Sequence, residues 1–192
     1  MPRPSGVDRV AARKARLERH AAETNSEVVL NAAARFLEAR QRSISEVRKH
    51  LAASAYPSEL VERAIERLVE LRWLDDETFA RSWVESRDRA HPRGGQALRR
   101  ELALKGVDRS LIEQVLEERA QSTAEDPGIM DDSDVSESAD VRAATRLLAR
   151  KAAALSRVAD GNARRQRAYA LLARNGFDAD VCREVSAAFL RG

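Results

Sequence analysis

Two dibasic pairs, Arg48-Lys49 and Arg99-Arg100, stand 51 residues apart, and Arg164, Arg165 and Arg167 follow in a third stretch that carries no acid. Side chains of this kind make charge-assisted hydrogen bonds to phosphate or carboxylate oxygens. If Val47 and Leu51, or Leu98 and Leu102, face a core, helical geometry turns the adjacent dibasic pair outward. Arg81, Arg87, Arg89 and Arg93 lie between the pairs and Lys105 follows them, so all twelve form one candidate contact set for an acidic protein surface or a nucleic-acid backbone. For any single residue, a solvated helix face is the competing reading.

Other residue types offer less. Asp75 and Asp76 could suggest paired acid-base carboxylates, but they precede "ETFARSWV" with no nucleophile or histidine nearby, which is the pattern of a helix N-cap. His20, His50 and His91 lack ligand spacing, so neither a metal nor any other cofactor is expected. Cys182, between Val181 and Val185 on an apolar face, reads as a small core residue. Trp73, Phe79 and Trp83 are expected in the core rather than as base-stacking platforms. "HPRGG" (91–95) either lets a backbone approach a partner closely through its two glycines or turns the chain with Gly94 or Gly95 opening a helix. No Walker loop, dinucleotide glycine pattern or metalloprotease helix occurs, and no enzyme is expected.

The elements that position these side chains are announced by a repeated corner. "ELALKGVDRSLIEQV" (101–115) and "LLARNGFDADVCREV" (171–185) place Gly106 and Gly176 at one spacing from Leu102 and Leu172. That spacing predicts helices ending in a left-handed glycine, with Val107 and Phe177 folding back and Asp108 and Asp178 capping the next helix. A weaker copy at Leu51–Val61 has Ala55 in place of the glycine, and Pro57 is expected to start the following helix instead of a left-handed alanine. "SISE" (43–46) is a capping box. Each corner follows a further amphipathic segment, "AARFLEAR", "ARSWVESR" or "AATRLLAR", which makes three helices per unit and three units in a row.

The segment 121–140 carries seven acids and no base; the rest of the chain has 34 basic against 24 acidic residues. A basic body of this kind suits a polyanionic or acidic partner. The start of the chain lacks an apolar signal segment, no stretch is long enough to span a membrane, and the one cysteine fits a reducing compartment, so the cytoplasm is expected.

"LDDETFARSWVESR", "RGGQALRRELALKGVD" and "RRQRAYALLARNGFDADV" together resemble the RecX family, regulators of the bacterial recombinase RecA. The resemblance implies an all-α, elongated array of three tandem three-helix repeats. The expected boundaries are a basic, flexible or marginally helical arm (1–29), repeat 1 (30–74), repeat 2 (75–120), a disordered acidic linker (121–140) and repeat 3 (141–192). It implies a monomer without cofactor that binds RecA filaments on single-stranded DNA and inhibits recombinase and co-protease activity. The alternative, a helix-turn-helix transcription regulator, meets the objection that the second helices are acid-rich (Glu59, Glu62, Glu66, Glu70; Glu113, Glu117, Glu118) and would be repelled by phosphate.

Overall fold

The computed structural model describes residues 6–121 and 138–189. Among them are ten α-helices and no strand: α1 Gly6–Ala21, α2 Ser26–Glu38, α3 Ile44–Ala53, α4 Ser58–Glu70, α5 Asp76–Ala90, α6 Gly95–Leu104, α7 Arg109–Gln121, α8 Ala139–Leu155, α9 Gly161–Arg174 and α10 Ala179–Ala188. Helices α2–α4, α5–α7 and α8–α10 are three successive three-helix repeats. The acidic segment expected as a linker lies outside the described residues over 122–137, but Ala139 and Asp140, expected in it, open α8. The basic arm is the 16-residue helix α1, which ends with His20 stacked on Tyr56 at 4.2 Å and bonded to the Ser54 carbonyl at 2.8 Å.

The chain divides into two compact units, residues 1–79 with 105–107, and residues 80–104 with 108–192. In the first, α2, α3 and α4 pack around Val29, Ala33, Val47, Leu51, Ile65 and Leu68. Helix α4 shows why: Leu60, Val61, Ala64, Ile65 and Leu68 recur at helical spacing, leaving Glu59, Glu62, Glu66 and Glu70 to the other face. In the second unit α8, α9 and α10 enclose Leu148, Ala168, Leu172, Phe177 and Cys182. Leu172 and Cys182 are wholly buried, so truncating Leu172 to alanine costs about 2–5 kcal/mol. Burial raises the Cys182 thiol pKa, with Asp178 adding to it, in keeping with its place in the core.

Gly106 and Gly176 adopt φ of 76° and 81°, as their spacing predicted. At the second corner the Phe177 N–H reaches back to the Leu172 carbonyl and the Gly176 N–H to Ala173. The weak copy departs from expectation. Ala55 itself is left-handed (φ 65°), with Tyr56 N–H bonded to Leu51 and Ala55 N–H to Ala52, while Pro57 is the residue before α4 and not its first. The alanine strain, about 1 kcal/mol, is offset by the same back-folding contact, here made by the buried Tyr56. A fourth such corner, unforeseen, ends α4 at Arg72 (φ 59°), with Trp73 N–H on Leu68.

Two equivalent seats hold these corners. In the first unit the Ser43 hydroxyl donates to the Lys105 carbonyl at 2.6 Å, and a Cβ on Gly106 would fall 2.3 Å from Ser45 Oγ. In the second unit the Gly94 N–H donates to the Asn175 carbonyl at 3.1 Å, and a Cβ on Gly94 would fall 2.2 Å from the Gly176 carbonyl oxygen. In "HPRGG" Gly95 opens α6, as one of the two readings has it, while the close approach that Gly94 permits is to the chain's own corner and not to a partner.

Candidate nucleic-acid and partner interface

The twelve basic candidates do not share one environment. Arg48 forks onto Glu62 (2.7 and 2.8 Å), and Arg99 meets both carboxylate oxygens of Glu113 (2.9 and 3.0 Å) at the equivalent place in the next repeat. The Glu62 hydrogen bond raises the Arg48 pKa, and Arg48 in turn lowers that of Glu62. Arg81 forks onto Glu118 at 3.0 Å. Arg87 stacks over the Trp83 ring at 4.3 Å and pairs with Glu101 at 2.6 Å. Arg93 lies 3.4 Å from Glu101 and bonds Asn175, and Arg89 lies 3.7 Å from Glu85. Lys105 meets Glu46 at 2.8 Å. The acid-rich second helices and the basic middle helices thus neutralise each other across the corners.

Helix α9 is different. Arg164 donates to the Val158 carbonyl at 3.0 and 3.1 Å, but Arg165 and Arg167 are exposed and have no hydrogen-bond or ion-pair partner among the described residues; the same holds for Arg174. Counting by the 70 residues that separate the glycine corners, the places of Arg99 and Glu113 fall in the third repeat on Tyr169 and Arg183, so no neutralising acid is present there. Helix α9 also starts one turn earlier than its counterparts, with 14 residues against 10 in α3 and α6. By the same count Arg164, Arg165 and Arg167 fall where Gly94, Gly95 and Ala97 form the seat in repeat 2. Asp160 caps this early start, accepting from the Asn162 and Ala163 N–H groups. Residues 138–189 carry ten basic and five acidic residues, whereas residues 75–121 carry nine and ten. Of the earlier pairs, Lys49 is likewise exposed without partner among the described residues, and Arg100 reaches only the Gln96 carbonyl of its own helix at 3.4 Å.

Three features were not foreseen in the residue pattern. Asp75 caps its own helix through the Glu77 N–H (3.0 Å) and Thr78 hydroxyl (2.6 Å), as expected, but Asp76 accepts from the Ile44 N–H at 2.8 Å and so completes the start of α3. Asp140 does the same for α6, accepting from the Gly95 N–H at 3.0 Å, 51 residues beyond Ile44. Asp178 stands at the N-cap of α10, as expected, but its side chain makes no capping bond and accepts instead from the Gln96 side chain at 2.6 Å. Second, Arg119, only 10% exposed, is clamped by Asp88 (2.8 and 2.9 Å) and Asp140 (2.6 Å), a buried network joining α5, α7 and α8. Third, the expectation of a core Trp73 is corrected: its side chain is 63% exposed, because the left-handed Arg72 ends α4 just before it and directs Leu74, rather than Trp73, into the core. Phe79 is buried, and Trp83 is half-buried with its indole N–H on Glu101 at 2.9 Å.

No group of three or more metal-ligating side chains is found among the described residues, and no helix there is long and apolar enough to cross a membrane.

Family models for the first, second and third three-helix domains of RecX match residues 30–68, 75–116 and 138–185, together more than half of the chain. The regulatory protein RecX of Prosthecochloris aestuarii is 38% identical over 96 residues, covering 50% of this chain and 64% of that protein. That of Mycolicibacterium smegmatis is 38% identical over 93 residues, covering 48% and 50%. The matched stretch thus spans about half to under two thirds of these relatives' length. The crystal structure of RecX from Lactobacillus salivarius superposes with a TM-score of 0.67 over 85% of this chain and 96% of that one, at 19% identity, a likeness of fold. Three consecutive domain matches, in order and in register with the three structural repeats, place this chain in the RecX family of regulatory proteins.

Proposed function

We propose that this chain is a non-enzymatic, cytoplasmic regulator that binds RecA filaments assembled on single-stranded DNA and restrains their recombinase and co-protease activity, and that the arginines of α9 supply its principal electrostatic contact. The carrying observation is the contrast between Arg165, Arg167 and Arg174, which have no counter-charge among the described residues, and Arg48 and Arg99, which are held by carboxylates. An unpaired exposed guanidinium retains its full capacity for phosphate or carboxylate oxygens; a forked one must first lose its present partner. Binding of this kind steers association and weakens as salt is added.

The test is retention of the protein on immobilised RecA with and without single-stranded DNA. Retention that requires the nucleoprotein filament and falls steeply with salt is the expected result; equal retention on bare RecA, or none on either, overturns the reading. The helix-turn-helix alternative is separated by gel shift, since a transcription regulator must discriminate between duplex sequences.

A further inference from the structure

Between the end of α2 and the start of α5 lies a cleft of about 150 Å³, whose lining includes Leu37, Arg42, Arg72, Trp73, Asp75 and Phe79, all within the first unit. Three observations bear on its purpose. Trp73 is the most exposed Phe, Tyr or Trp ring among the described residues, at 63%, and stands at the cleft's edge. Neither Arg42 nor Arg72 has a carboxylate within salt-bridge distance among the described residues, although the Arg72 charge helps to lower the pKa of Asp75 beside it; Arg42 stacks on Phe36 at 4.2 Å, and its Nε is shielded from solvent without a hydrogen-bond partner. Arg72 occupies a left-handed position where glycine serves the corners at 106 and 176, so a residue that strains the backbone contributes a guanidinium to the cleft.

We propose that this cleft binds one nucleotide of a single-stranded nucleic acid, with the base stacked on the Trp73 indole and the backbone phosphate held by Arg42 and Arg72. Two cations against the single carboxylate of Asp75 leave a positive excess that calls for an anion, and the exposed indole beside them calls for a flat partner; a nucleotide supplies both in one residue. An acidic side chain fits the cleft less well, because it offers neither a flat face to the exposed indole nor a hydrogen-bond donor to Asp75. That carboxylate is held ionised by its hydrogen bonds to the Thr78 hydroxyl and the Glu77 N–H, against the opposing effect of burial. It accepts from the amino and imino N–H groups of a base, which a carboxylate ligand lacks. The assignment requires no RecA, and it commits the first repeat to direct nucleic-acid contact independently of α9.

The full chain carrying Trp83→Phe leaves Trp73 as the sole tryptophan, so its fluorescence reports the cleft alone. Titration with a 15-mer of deoxythymidine, without RecA, is expected to quench it saturably. Trp73→Ala or the double variant Arg42→Ala/Arg72→Ala should weaken binding at least about tenfold by anisotropy, while Trp73→Phe stays within about threefold of the parent. Arg72→Gly is the decisive variant: Tm should hold or rise as the strain is relieved, while affinity falls several-fold. A merely structural arginine would leave affinity unchanged. Arg165→Glu/Arg167→Glu separates this cleft from α9, since quenching at saturation must survive it. Absence of quenching at saturating oligonucleotide, unaltered binding by the double arginine variant, or tighter quenching by a glutamate-rich peptide each overturns the assignment. The column test for RecA is run with the Arg42→Ala/Arg72→Ala variant as well, so that direct DNA binding through the cleft is told apart from recognition of the filament: retention of this variant on the filament supports the RecA reading even where the cleft assignment fails.

Discussion

Helices α3 and α6 on one side and α9 on the other occupy the same place in their repeats, yet the positive charge that the first two partly neutralise is left uncompensated in the third. In the first two, an arginine is matched 14 residues later by a glutamate on the following helix, with side chains equally exposed (46% and 47%) in both copies. In the third, those places are Tyr169 and Arg183, and the seat that elsewhere holds a small or capping residue is filled with arginine. A basic residue in a helical repeat contributes to a binding surface only after the facing helix has been counted. Three stretches that look alike as strings of Arg and Lys are therefore not equivalent as ligand sites.

The largest effect expected from probing this difference lies at the seats. Gly94→Ala puts a Cβ 2.2 Å from the Gly176 carbonyl oxygen, backbone against backbone, and should cost about 3 kcal/mol in denaturant unfolding. Ser43→Ala at the equivalent place removes a cap and a hydrogen bond and should cost about 1 kcal/mol. Next comes charge. Arg165→Glu/Arg167→Glu should weaken binding to RecA on single-stranded DNA by on the order of 30-fold with little change in Tm, because neither side chain holds the fold together. Arg99→Glu should do the reverse, costing about 1 kcal/mol of stability beside Glu113 while changing binding less than about threefold. Equal binding losses from the two variants would erase the distinction between the repeats.

A pH measurement sharpens the contrast from the first unit. Burial pushes the Glu46 carboxyl up, but hydrogen bonds from Arg40, Lys105 and the Ser43 N–H outweigh it and hold the pKa down to about 2, from an ordinary 4.5. The unfolded chain therefore takes up this proton first as pH falls. The stabilisation is whole above pH 4.5 and disappears towards pH 2, with roughly 2 kcal/mol involved. Glu46→Gln should flatten that part of the acid-unfolding curve; an unchanged curve would show that the three partners do not act on Glu46. The smallest effect is the pair itself. A double-mutant cycle on Arg99 and Glu113 should return about 0.5 kcal/mol, and Tyr169→Arg/Arg183→Glu should recreate a similar coupling in the third repeat.

Much of the fold was legible because its signals are local. Gly106 and Gly176 need a left-handed backbone, the Ser43–Glu46 box closes on itself, and the four-residue spacing of Leu98 with Leu102, or of Ala168 with Leu172, marks a buried stripe. What escaped were properties set by packing and by the direction in which a helix turns each side chain. Ala55 and Arg72 turn left-handed because buried residues beyond them repay the strain, which no propensity for alanine or arginine reveals. Asp75 and Asp76 are adjacent and alike, yet the helix turns them to different targets, one its own first turn and the other α3. The candidate site was legible as a set of cations but not as a ranking. The information was present in the repeat offset, since carrying Arg99 and Glu113 forward by 70 residues already lands on Tyr169 and Arg183.

The borrowed caps have a consequence for the order in which the chain acquires structure. Ile44 waits for a carboxylate 32 residues downstream, and Gly95 for one 45 residues downstream. During synthesis, when a polypeptide leaves the ribosome amino end first, the first N–H of α3 and of α6 lacks its acceptor until the next module has begun to emerge. Nascent α6 should accordingly remain frayed and open to proteases until Asp140 is out of the exit tunnel, and then close in a single step.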